Sequence, residues 1–165
     1  MGLTKAGFML MTLMALGACE GSNIFGGGGN NPGQAPGGVI EQSSLEYFAT
    51  EIGDRVLFAV NQSTLSDEAK QTLDAQVAWL NQYPDRSIMI EGHADEQGTR
   101  EYNILLGAQR AASVQNYMIA AGLAPARIST RSYGKERPLE LCSSEVCWSK
   151  NRRAVTVVAG GMGNV

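Results

Sequence analysis

The chain has 165 residues, with 13 Lys+Arg against 16 Asp+Glu and a formal net charge of −3. That balance lacks the clustered basic excess of a nucleic-acid footprint, and 44% hydrophobic with 18% charged residues excludes a wholly disordered chain. No apolar run reaches the roughly 18 residues of a spanning helix, and three Cys with one His leave little room for a zinc site or a His-based triad.

In chain order, Lys5 precedes an apolar stretch from Ala6 to Leu16, which reads as the h-region of a secretory signal over 1–18. Leu16-Gly17-Ala18-Cys19 resembles the bacterial lipobox, which would make Cys19 the lipidated first mature residue. Several acyl chains hold firmly where one binds weakly, since each buried CH₂ contributes about 0.8 kcal/mol. Residue 20 is Glu and not the Asp of inner-membrane retention, which points to the outer membrane. The Gly, Pro and Asn of 20–44 read with Cys19 as a flexible tether over 19–44, leaving one folded domain at 45–165.

Within that domain Arg55 to Val60 reads as a strand. Ser66 is a helix N-cap, Asp67 and Glu68 suit the first turn, and Ala69, Leu73, Val77 and Leu80 recur at helical spacing until Pro84. Ser87 to Glu91 is a second strand. A second helix over about 100–121 has the stripe Ile104, Gly107, Ala111, Val114, Met118 and Ala121, with Gly122 as its C-terminal cap. Arg127 to Tyr133 and Ala154 to Val158 are further strands, and 139–148 is a polar loop. Strands alternating with helices predict an α/β (α+β) two-layer sandwich, helices on one face of a mixed four-stranded sheet.

Glu91-Gly-His-Ala-Asp-Glu-Gln-Gly-Thr99 joins the second strand to the second helix and leaves Asp95 at a strand end, a usual place for ligand groups. Asn103, Leu106 and Arg110 share one helix face, from which Arg110 points back toward the Asp95 turn. His93 with Glu91, Asp95 and Glu96 is a weak metal signal. No G-x-S-x-G elbow or Gly-rich phosphate loop is present, so neither an enzyme nor a cofactor is expected.

GHADEQGTREYNILLGAQRA, SYGKERP (132–138) and KNRRAV (150–155) closely resemble the OmpA-like peptidoglycan-binding domain, over about 45–158. The lipobox and tether place the resemblance with its lipidated members. The resemblance implies noncovalent binding of the diaminopimelate of the wall's stem peptide, Asp95 taking the ammonium and Arg110 the carboxylate. Asp95 and Arg110 paired with one another is the structural alternative. The resemblance also implies a loop residue at Asn61, where family members often carry Asp, and a periplasmic partner, the β-propeller protein TolB, competing for the wall site. Asn103 either orients the turn or touches the peptide, and Arg152 and Arg153 are either a second positive element or solvated charge. Cys142 and Cys147 are an even pair for a periplasmic disulfide, with free thiols as the alternative. Other functions left open are a wall-binding lipoprotein without TolB and a periplasmic enzyme acting on wall fragments.

Overall fold

The structure, a computed structural model, describes residues 40–159. The signal peptide, Cys19, most of the tether and residues 160–165 lie outside the described residues.

One helical turn, α1 (Leu45–Tyr47), widens into a π-helix over Phe48–Gly53. Then follow β1 (Arg55–Leu57), α2 (Asp67–Gln82), β2 (Ser87–His93), α3 (Arg100–Ala120), β3 (Ile128–Gly134), α4 (Glu145–Asn151) and β4 (Arg153–Ala159). The strands form one mixed sheet in the order β1-β4-β2-β3. β2 runs parallel to β3, and β4 is antiparallel to both β1 and β2. This is the expected α/β architecture with a four-stranded sheet.

Local chemistry explains the helix ends. The Ser66 hydroxyl accepts from the Ala69 amide at 3.2 Å, and the Thr99 hydroxyl accepts from the Tyr102 amide at 3.2 Å, each satisfying an amide that has no partner within its helix. At the far end of α3, Gly122 takes a φ of 102°. Its amide donates to Ile119 and the Leu123 amide to Met118, a Schellman ending that buries Leu123.

The core packs α2 and α3 on the sheet through Leu73, Val77, Leu80, Ile88, Ile90, Val114 and Met118. The buried stripe of α3 is Asn103, Leu106, Gly107, Arg110, Ala111, Val114 and Met118. It is rotated from the expected stripe: Ile104 is only half-buried, Ala121 is exposed, and the polar face of Asn103 and Arg110 turns inward.

Three expectations are corrected. The first strand stops at Leu57 instead of Val60, because the Phe58 and Ala59 carbonyls are taken by arginine side chains. The tether does not run to residue 44: Trp79 donates to the Gln42 carbonyl at 2.7 Å and Arg86 to that of Ser43 at 2.6 Å. The loop before the last strand contains α4, which the polar composition of 139–148 conceals. Cys142 and Cys147 are joined by a disulfide at the start of α4, with Cα atoms 5.6 Å apart.

α3 crosses the sheet where both backbones lack side chains. A Cβ at Gly92 would overlap the Gly107 carbonyl, and one at Gly107 would meet Ser132 Oγ and the Gly92 carbonyl. Backbone against backbone cannot yield as a side chain does. Gly92→Ala is therefore expected to destabilise the domain by about 3 kcal/mol or more, read as a lowered urea midpoint; an unchanged midpoint would refute this close approach.

Candidate functional site

The end of β2 carries the site. Past His93 the chain leaves the sheet, with the Ala94 amide donating to the Gly134 carbonyl at 2.8 Å. Asp95 then turns inward and is 7% exposed. Its Oδ1 accepts from the Gln97 amide at 3.1 Å, an Asx turn that holds the carboxylate in place. Its Oδ2 accepts from Arg152 Nη1 at 3.2 Å.

Asn103 orients this turn. Its Nδ2 donates to the Gln97 carbonyl at 2.9 Å, while its buried Oδ1 has no partner among the described residues. Lys135 clamps the same turn from β3's end, donating to the Gly98 carbonyl at 2.7 Å.

Arg110 is fully buried on α3. Nε donates to the Gln62 carbonyl at 2.8 Å, Nη1 to that of His93 at 2.7 Å and Nη2 to that of Ala59 at 3.2 Å. A guanidinium has five N–H donors, so these bonds leave part of its fork uncommitted. Burial pushes its pKa down to about 10, against the pull of Asp95, and the Arg152 charge lowers it further. Arg110 and Asp95 thus share one electrostatic environment without pairing directly: the ion pair is Asp95–Arg152.

Asn61 sits between the two loop residues whose carbonyls hold Arg110. It is exposed, with a φ of 55°, a left-handed conformation that Asn tolerates better than most residues. Its placement beside the Arg110 loop explains an Asn there by backbone geometry.

Arg152 and Arg153 are not solvated charges. Arg153 is buried, donating to the Arg137 carbonyl at 3.2 Å, and burial pulls its pKa down. Arg152 donates from Nε to the Phe58 carbonyl at 3.1 Å and from both Nη atoms to the Glu145 carboxylate. The hydrogen bonds from Arg152 hold Glu145 below the usual carboxylate range, and those to Glu145 and then Asp95 raise Arg152 against its burial.

Glu145 is the site residue that sequence reasoning missed. Arg152 follows it at i+7 as the residue that caps α4, a relation legible only once 145–151 is known to be helical.

His93 does not belong to a metal cluster; among the described residues no group of three or more His, Cys, Asp or Glu is arranged to hold an ion. Its ring stacks on Tyr133 with centroids 5.5 Å apart, and Glu91 lies 3.7 Å from Nε2, beyond hydrogen-bond reach. Burial foremost, then the Arg153 and Arg137 charges, push its pKa down to about 4. The unfolded chain protonates this His near pH 6.5, while the folded chain resists until about 4. Its contribution is therefore complete above about pH 6.5 and is lost as pH falls toward 4, by about 3 kcal/mol. His93→Phe is expected to flatten that part of the stability profile between pH 7 and 4.5, read by urea unfolding; an unchanged slope would refute it.

Similarity to known proteins covers the segment that holds these residues. The OmpA family profile matches residues 57–152. The chain is 48% identical over 123 residues to the peptidoglycan-associated lipoprotein of Mesorhizobium japonicum, covering 74% of this chain and 73% of that one. It is 42% identical over 157 residues to the Rhizobium meliloti protein of the same name, covering 92% and 85%. The crystal structure of the peptidoglycan-associated lipoprotein from Burkholderia pseudomallei matches with a TM-score of 0.64 at 33% identity, over 67% of this chain and 95% of that one.

Proposed function

The chain belongs to the OmpA family and to the peptidoglycan-associated lipoproteins within it, and on that premise we propose that it is an outer-membrane lipoprotein that binds peptidoglycan noncovalently. It acts as a binding protein and not as an enzyme. The observation that carries this reading is the Asp95 carboxylate, buried beside two guanidinium groups at the end of β2.

The ligand is the diaminopimelate of the wall's stem peptide, whose free end carries an ammonium and a carboxylate. Asp95 takes the ammonium and the uncommitted N–H groups of Arg110 take the carboxylate. Charge-assisted hydrogen bonds of this kind contribute about 1.5–3 kcal/mol each. Asn103 acts on the ligand through the turn that holds Asp95, where its Nδ2 donates to the Gln97 carbonyl. Asn61 shapes the loop around Arg110 and adds no charge of its own.

Lipid on Cys19 supplies the membrane end. Among the described residues no helix is long and apolar enough to cross a bilayer, and acyl chains need no such helix. A chain tied at one end to lipid and at the other to wall resists separation of the two layers.

Kinship with the peptidoglycan-associated lipoproteins extends the reading to the Tol–Pal system, with TolB as periplasmic partner and a part in constriction at cell division. TolB and wall peptide would share one face of the domain.

Asp95→Asn keeps an acceptor for the Gln97 amide while removing the charge, which makes it a cleaner test than Arg110→Ala. In fractionated cells Asp95→Asn is expected to stay with the membranes but lose about ten- to a hundredfold of its wall affinity in co-sedimentation, and Cys19→Ala to move to the soluble fraction. Normal sedimentation of the first would show the site misplaced, and continued membrane association of the second would show another anchor. In a pull-down, stem peptide is expected to displace TolB from the chain; simultaneous binding of both would defeat the shared face.

A further inference from the structure

Arg152 faces two carboxylates that differ in freedom. Asp95 is buried and fixed by its Asx turn. The Glu145 side chain is 62% exposed, on the first turn of a short helix, inside the ring closed by the Cys142–Cys147 disulfide. The guanidinium itself cannot leave: its side chain is 5% exposed, and Nε is bonded to the Phe58 carbonyl.

Glu145 grips both Nη atoms of this buried fork from the solvent side. A carboxylate in two-pronged contact with a guanidinium is the geometry any carboxylate ligand would adopt there. Arg110 is less accessible from outside, having no exposure and three backbone carbonyls as partners.

We infer that Arg152 is a second receptor for the carboxylate of the wall peptide, and that Glu145 occupies its fork until the peptide displaces it. The exchange is like for like. One carboxylate leaves Arg152 as another arrives, so the buried guanidinium is never unpaired, which is the costly state. Glu145 returns to water at little expense because it is already mostly exposed. Asp95 keeps its place and receives the ammonium beside it.

The inference rests on the wall-peptide reading of the site, and its test separates the two. Full-length protein in detergent is titrated with two synthetic stem peptides, one with the free side-chain end of its diaminopimelate intact and one with the carboxylate of that end amidated. Glu145→Gln removes the competing charge and keeps the side chain's size. It is expected to bind the free-acid peptide about two- to fivefold more tightly than the unaltered chain, the range of a partly exposed ion pair, and to show no gain for the amide. Matching thermal midpoints of the two proteins show that the fold is kept. Free-acid binding that is unchanged or weaker in Glu145→Gln, or an equal gain for both peptides, overturns the displacement while leaving wall binding intact. Failure of the unaltered chain to bind either peptide sinks the wall-peptide reading, and this inference with it.

Discussion

One buried guanidinium holds the functional end of the domain together. Arg110 reaches out of α3 and fastens the loop after β1 to the end of β2, through carbonyls that neither strand ladder uses. Its plane lies against Phe58, 5.2 Å from the ring centroid. Lysine could not replace it, because an ammonium on a flexible stem cannot address three carbonyls from fixed directions. The bond to the His93 carbonyl is the decisive one, since Asp95 lies two residues further and inherits its position.

Arg152 repeats this device from the opposite side. It bonds the Phe58 carbonyl and Asp95, bringing the start of β4 to the same loop and turn. The two arginines therefore work as braces and as the positive half of a charge cluster. Asp95 and Glu145 supply the negative half. A cluster balanced in this way can exchange one pairing for another without stranding a buried charge, and stranded charge is what makes polar interiors expensive. On the proposed reading, the ligand of such an exchange is zwitterionic.

The glycine contact under α3 serves the same end. Gly92 and Gly107 let the helix approach β2 until backbone meets backbone. Arg110 lies one turn beyond Gly107, so this approach brings its guanidinium within reach of the His93 carbonyl. His93 itself is sealed beneath, stacked on Tyr133, and serves the packing of the strand end.

The amino-acid sequence by itself determined the four strands, the two long helices and their order. Caps at Ser66 and Gly122, the helical spacing of α2 and α3, and the apolar runs of β2 and β4 are local features, written within a few residues of where they act. The same locality made Asp95 visible as a strand-end residue and put Asn103 and Arg110 on one face. Only the tertiary structure decided what those side chains touch. Arg110 finds the Gln62 carbonyl 48 residues away, Arg152 finds Asp95 57 away and the Phe58 carbonyl 94 away. No periodicity encodes such pairings, because they arise when separately folded elements dock. The end of β1 and the position of Glu145 followed suit: a strand stops where its carbonyls are claimed by distant arginines, and a polar segment such as 145–151 becomes a helix when a disulfide and a buried guanidinium hold it against the domain.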